Sequence, residues 1–165
     1  MTLRNTRQMP EQELENYIAE FLTQNNMCVL ATCSGDMPRA TPIEYHSKGL
    51  TLYLASEPGT KLKNIRANFN VSVGVYFHYI GLESARGAQI TGKATIIAKG
   101  TKEFDEGLIA YQWEKTAKEF NIQQLPNALN LIKIDPVKIE LTDMFLKKKG
   151  YIPRQTLIIN KQQPG

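Results

Sequence analysis

Leu52-Tyr53-Leu54-Ala55-Ser56-Glu57-Pro58-Gly59-Thr60-Lys61-Leu62-Lys63-Asn64-Ile65 changes its period half-way along. Up to Ser56 the leucines alternate with other residues, as in a strand with one buried face. After the Pro58-Gly59 turn, Leu62 and Ile65 share a helical face while Lys61, Lys63 and Arg66 stay on more polar ones, so a helix is expected over Thr60 to Asn68. Free backbone N–H groups and the dipole make a helix start attractive to anions. Thr60 either caps that helix or bonds an anion's oxygen, and Lys61 supplies a neutralising charge. Threonine followed by lysine also occurs on helices that bind nothing.

Working outward, Pro10 to Gln24 places Leu14, Tyr17, Ile18, Phe21 and Leu22 in one apolar stripe, an amphipathic helix. Met27 to Cys33 and Pro38 to His46 read as strands on either side of the turn Ser34-Gly35-Asp36, and Ser47-Lys48-Gly49 leads into the strand of Leu50, Leu52 and Leu54. Val71, Val73, Val75 and Phe77 then alternate with Ser72, Gly74, Tyr76 and His78, and a long strand follows from about Arg86 to Ala98. Thr101 to Phe120 predicts one long helix, weakened locally by Gly107. Asn121 to Asn127 reads as a loop. Leu131 to Ile134 and Val137 to Leu141 flank Asp135-Pro136, which predicts a bend or a tight connection, and Tyr151 to Ile159 holds a last β-prone segment before a frayed polar tail. These are six or seven strands, mostly antiparallel neighbours, with three helices. The lack of regular strand-helix alternation argues against a doubly wound sheet, and a closed or split barrel better protects so many short edges.

With 165 residues, 42% of them hydrophobic, the chain suits a single domain over 1–165: a helical region at 1–26, a barrel with inserted helices at 27–145 and an extension at 146–165. A net charge of +4 is too small and too dispersed for a nucleic-acid surface, though it suits an anionic ligand. Neither a signal peptide nor a membrane span is expected, so no membrane partner, and a reducing cytoplasm is the default. Cys28 and Cys33 fall on opposite faces of one strand, so no disulfide is expected between them; with His46 and His78 they give no metal-ligand spacing.

Three blocks resemble the pyridoxamine 5′-phosphate oxidase-like family of FMN-binding split barrels. They are Cys28 to Ile43, with a Gly-containing turn and Pro38-Arg39 opening its second strand; Leu52 to Asn68, followed by Val71 to Val75; and Ala88-Gln89-Ile90-Thr91-Gly92-Lys93-Ala94. Together they span most of Met27 to Ala98, and the C-terminal third agrees in outline. The resemblance implies a mainly β (α+β) fold, an antiparallel six-stranded split β-barrel with flanking helices. It also implies a homodimer holding FMN between its subunits. Arg39 and Lys61 would pair with the phosphate, accompanied by Thr60 and Ser56. Backbone groups around Ala40, Thr41 and Pro42, and around Leu54 and Ala55, would line the ribityl chain and ring edge, and Gln89 would reach the ring or ribityl chain. Tyr111, Trp113 and Arg154 are candidates for contacts from the partner chain. The oxidase's substrate-binding residues have no match here, so vitamin B6 oxidation is not carried over.

The family includes deazaflavin-dependent and haem-handling members. FMN leads among FMN, deazaflavin and haem because Thr60-Lys61 makes a compact phosphate site. No side chain stands out as a catalytic acid or nucleophile, which suits cofactor-centred hydride or electron transfer on a small molecule. The alternatives are a non-catalytic flavin- or haem-binding protein that stores or senses its ligand, and an interaction barrel without cofactor. His46 and His78 read as structural or surface residues, and Lys147-Lys148-Lys149 as a solvated turn before Gly150.

Overall fold

The alternating apolar residues meet in rows across one curled antiparallel sheet. A computed structural model describes residues 7–159 and gives the order α1 (Glu11–Thr23), β1 (Met27–Ser34), β2 (Met37–Glu44), β3 (His46–Lys48), β4 (Thr51–Ser56), α2 (Thr60–Ala67), β5 (Asn70–Tyr76), β6 (Arg86–Ile97), α3 (Lys102–Ala110), α4 (Trp113–Glu119), β7 (Asn130–Asp143) and β8 (Arg154–Ile158). The ends of the polar leader and of the tail lie outside the described residues. The strands run β2-β1-β5-β6-β7-β4-β3, and β8 pairs with β7. Six long strands thus form the expected split barrel, to which three-residue β3 and five-residue β8 are added.

Register explains the core. Leu30, Val73, Ile90, Ile139 and Leu157 are successive cross-strand partners, and all five are buried. Because side chains alternate with a period of two, that row fixes which face of five strands points inward. Helix α1 buries Leu14, Ile18, Phe21 and Leu22 against the same core, and the Tyr45 hydroxyl donates to the Leu22 carbonyl at 2.7 Å. Helix α2 adds Leu62 and Ile65, and its Asn64 side-chain amide donates to Thr32 Oγ1 at 3.1 Å.

Two expectations are corrected. Asp135-Pro136 does not bend the chain between two strands but lies inside the single strand β7. Thr91 pairs with Lys138 and Gly92 with Pro136, leaving Val137 as a bulge whose carbonyl accepts from Ile159 N–H at 3.0 Å. A bulge tolerates the missing proline N–H, and Gly92 opposite it has no room for a side chain: a Cβ would fall 2.9 Å from Ile134 Cγ2 and 3.0 Å from the Asp135 carbonyl oxygen. The helix expected from Thr101 to Phe120 is two helices, broken at Gln112, whose φ of 60° and ψ of 39° are left-handed. Buried Tyr111, just before the break, packs with Ile97, Phe104 and Leu131 on the sheet face opposite the main core, and its hydroxyl donates to Glu44 Oε2 at 3.2 Å. Gly107 permits close packing: a Cβ there would lie 2.5 Å from Leu131 Cδ2.

A polar knot joins these layers. Asp143, fully buried, accepts from Arg86 Nε and from the Tyr17 hydroxyl, both at 2.8 Å, and from Phe145 N–H at 2.9 Å. The Arg86 guanidinium lies 4.5 Å from the Phe77 ring centre, 5.1 Å from that of Phe145 and 5.2 Å from that of Phe21. Removing one partner of a buried, hydrogen-bonded pair strands the other, so Asp143→Ala is expected to cost about 3–5 kcal/mol in chemical denaturation. A loss below about 1 kcal/mol would show the knot to be ornamental.

Both cysteines are free. Burial pushes the Cys28 thiol up from 9.0 to about 12. Its folded value exceeds its unfolded one, so the stability tied to the neutral thiol is complete below pH 9 and is lost as the pH rises towards 12. Cys33 is half-buried, its thiol donating to the Gly35 carbonyl at 3.2 Å. At pH ~8 a disulfide reagent should therefore label Cys33 in the folded protein and reach Cys28 only after denaturant is added.

Candidate functional site

The sheet is open on one side. Strand β3 pairs with β4 only over Thr51 to Tyr53, and β2 pairs only with β1 among the described residues. The backbone of Arg39 to Pro42 and that of Leu54 to Ser56 therefore border a slit along which β2 and β4 approach without a hydrogen-bond ladder. Pro38 and Pro42 suit such an edge, where a missing N–H costs no ladder bond.

Helix α2 starts beside this slit. Its N-cap is Gly59, which offers no side chain to the first amides, and Thr60 is the first helical residue rather than a cap. Of the two readings of Thr60, helix capping is thereby removed. Arg39 is the cross-strand partner of Thr32, whose hydroxyl is held by Asn64, one turn along α2 from Lys61. Strand pairing and that hydrogen bond put Arg39 on the sheet face that α2 adjoins, with Thr60 and Lys61 in the first turn of the same helix. Among the described residues none of these three side chains makes an ion pair or hydrogen bond.

The neighbouring candidates fall into place around that corner, where the slit meets the start of α2. Thr41 pairs with Leu30 on the inner face, and its hydroxyl is buried with no hydrogen-bond partner among the described residues. Ser56 is buried and its hydroxyl donates to the Glu57 carbonyl at 2.7 Å, leaving it able to accept only. Leu54 is core, Ala55 packs towards the cluster around Phe104 and Leu131, and Ala40 and Pro42 point to the opposite face, so these four offer backbone alone. An anionic group fits this set, because two unpartnered cations, helix amides and an orphaned hydroxyl all lack a counterpart.

Gln89 lies elsewhere. It projects from β6 on the outer face, into an open cleft of about 570 Å³. Tyr76, Gly87, Thr142 and Arg154 form one cross-strand row across that cleft, and Gly74, Gln89, Glu140 and Thr156 form the next.

The sequence model described as pyridoxamine 5′-phosphate oxidase matches residues 14–143. The chain belongs to the pyridoxamine 5′-phosphate oxidase family. Among solved members of this fold, a protein named as a pyridoxamine 5′-phosphate oxidase from Listeria innocua is 28% identical, with a TM-score of 0.65 over 78% of this chain and 98% of that one. An FAD-binding protein from Mesorhizobium loti is 24% identical, with a TM-score of 0.62 over 76% of this chain and 90% of that one. HutZ, the haem storage protein of Vibrio cholerae, is 15% identical, with a TM-score of 0.62 over 74% of this chain and 89% of that one; the last two likenesses establish the fold alone. No curated protein matches the chain. Flavin- and haem-binding proteins thus share the architecture of this family member.

Of the residues considered for partner contacts, Tyr111 is unsuited, being buried, bonded to Glu44 and packed edge-on against His46 with ring centres 5.2 Å apart. Burial, reinforced by the Glu44 carboxylate, raises its pKa. Trp113 is half-buried against Leu125 and its neighbours, whereas Arg154 is exposed in the outer cleft. His46 Nε2 lies 3.6 Å from Glu44 Oε1, and His78 is exposed in the loop after β5. Sequence reading missed the grouping of Tyr76, Gln89 and Arg154, although a signal existed: Gly74 and Gly87 both interrupt strands, and a glycine in a strand often marks a close approach to the backbone.

Thr41 gives a direct check on the corner. Replacing an unpartnered buried hydroxyl with a methyl removes an unpaid desolvation cost, so Thr41→Val should stabilise the cofactor-free chain by about 1 kcal/mol in thermal or chemical unfolding. A clear loss of stability would mean that the hydroxyl already has a partner.

Proposed function

We propose that this family member binds FMN, with the phosphate seated at the start of α2 against Arg39, Lys61 and the first helix amides. The observation that carries this reading is the pair of cations at the slit, neither of which has an anionic partner among the described residues. The slit then receives the ribityl chain along the unpaired backbone of Arg39 to Pro42 and Leu54 to Ser56, with Thr41 and Ser56 as hydroxyl companions. Bound flavin supplies hydride or electron transfer, and the chain is read as an oxidoreductase acting on a small molecule in the cytoplasm.

The proposed assembly is a homodimer. Gln89 faces away from the phosphate corner of its own chain, on the far side of a paired sheet, so Gln89 of the partner subunit is the one assigned to the ring. Haem has less support: His46 is occupied by Glu44 and Tyr111, and no other histidine borders the slit. A deazaflavin would use the same corner and is told apart by its spectrum.

Purified protein is expected to be yellow, or to turn yellow on adding FMN, with a band that bleaches on reduction. Lys61→Ala and Arg39→Ala should each weaken FMN by about 1–3 kcal/mol, roughly 5- to 150-fold, in a fluorescence titration. Their melting temperatures should match the parent protein, since neither side chain supports the core. Unchanged affinity in both variants would sink the phosphate corner, and a colourless protein indifferent to FMN would sink the flavin reading.

A further inference from the structure

The hairpin between β5 and β6 ends in a tip that the core does not use. Phe77 N–H donates to the Arg86 carbonyl at 3.1 Å, so residues 78–85 lie beyond the last rung of the sheet rather than on either of its faces. The tip is held by its own bonds. Ser84 Oγ accepts from Ile80 N–H at 3.2 Å and donates to the Gly81 carbonyl at 2.8 Å, and Ser84 N–H donates to the same carbonyl at 3.0 Å. That framework turns Tyr79, Ile80 and Leu82 outward, 64%, 78% and 66% exposed. Side chains so placed add nothing to the core, and a group of large apolar ones on a surface marks contact with something else.

The structure sets the lysine run against this tip. The tight turn Met144–Lys149 is fastened there by Met144 N–H, which donates to the Ala85 carbonyl at 3.1 Å, and by Lys147 Nζ, 3.8 Å from Glu83 Oε1. All three lysines are exposed, and neither Lys148 nor Lys149 has a carboxylate within ion-pair reach among the described residues. Lys148 Nζ lies instead 5.7 Å from the ring centre of exposed Phe145, and Lys149 Nζ 4.9 Å from that of Tyr17. Glu83 is matched by Lys147, so positive charge is left in excess beside the apolar tip. The apolar groups that the lysine run lacks in sequence thus come from a distant stretch of the chain.

That charge separates the possible occupants. A second copy docked tip to tip would bring two lysine turns together, where like charges repel. An anionic bilayer answers both features at once: its headgroups attract lysines, and its interfacial zone takes up tyrosine and aliphatic side chains. The expectation of no membrane partner rested on the lack of a spanning segment. None of the described helices is long and apolar enough to cross a membrane, and a surface contact needs none.

We propose that this end of the barrel docks on an anionic lipid surface, with Tyr79, Ile80 and Leu82 entering the headgroup zone and Lys148 and Lys149 matching the lipid charge. The docking surface does not depend on the flavin reading above, since it shares no residue with the slit.

The test is co-sedimentation of the full chain with vesicles of phosphatidylcholine alone and of an equimolar mixture of phosphatidylcholine and phosphatidylglycerol. Partitioning onto the mixed vesicles should exceed that onto the neutral ones roughly tenfold or more and should fall as salt is raised. Ile80→Ser with Leu82→Ser, and separately Lys148→Gln with Lys149→Gln, should each reduce it about tenfold. Melting temperature and FMN titration should stay as in the parent protein. No binding to the mixed vesicles, equal binding to both kinds, or binding untouched by the serine pair overturns the proposal, the last because charge alone would then suffice. A serine pair that dissociates a dimer in sedimentation velocity while leaving vesicle binding intact gives the tip to a second copy and likewise overturns it. A protein that refuses FMN yet shows the full lipid pattern keeps the docking surface and loses the flavin reading.

Discussion

Asp143 is the point to which the rest of the molecule is tied. It closes β7 opposite Arg86, the first residue of β6, so their contact clamps the open end of the longest hairpin. The Tyr17 hydroxyl attaches α1 to the same carboxylate, and Phe145 N–H attaches the turn that leads to β8. A fully buried carboxylate is tolerable only when nearly every lone pair is engaged, which is the condition met here by one cation, one phenol and one amide. The arrangement also disciplines Tyr17, whose pKa rises from 10.0 to about 12 through burial first and the Asp143 contact second. Beyond the knot, Thr142 pairs with Arg154, so the position of the outer cleft follows from the same anchor.

What the sequence displayed of this fold was what lies within one element. Leu50, Leu52 and Leu54, or Val71, Val73 and Val75, announce a buried face by themselves, and α1 and α2 have the expected extents within a residue or two. Features that depend on a distant partner were hidden. Arg86 and Asp143 are 57 residues apart, and neither has a local pattern that names the other. Pro136 looks like a breaker until Gly92 is placed opposite it, where the pair makes a bulge within a continuous strand. Gln112 has no glycine to advertise its left-handed conformation; the break is imposed by Tyr111 reaching Glu44, a tertiary demand that outweighs local helix preference.

The candidate site divides along the same line. Thr60 and Lys61 were visible because a strand-turn-helix junction carries its own electrostatics. Arg39, Thr41 and Gln89 entered through the family resemblance, since nothing in a β-strand marks a residue that will stand at a slit. The structure added the reason for the first two: β2 is a terminal strand, and its register with β1 sets Arg39 and Thr41 on the inner face shared with α2. Arg154 entered only as a basic candidate for contacts from the partner chain, implied by the same resemblance. Its meaning depends on four strands being laid side by side, so that Tyr76, Gly87, Thr142 and Arg154 become one row.

Two half-sites on opposite faces of one sheet also explain why a second copy belongs to the proposed function. The slit opens on the inner face beside α2, and Gln89 stands on the outer face three strands away from β2, about 14 Å across the sheet. A single ligand cannot pass through a continuous hydrogen-bonded sheet to touch both. A twofold axis, as in the proposed dimer, would remove the difficulty by setting the outer face of one chain against the slit of the other, which creates two identical composite sites at once. In the proposed dimer the exposed Tyr76 and Gln89 would line the interface, and the ligand would become part of what holds the protomers together. Assembly and binding are then linked: any group that occupies the composite site and not the separated chains draws the equilibrium towards the dimer.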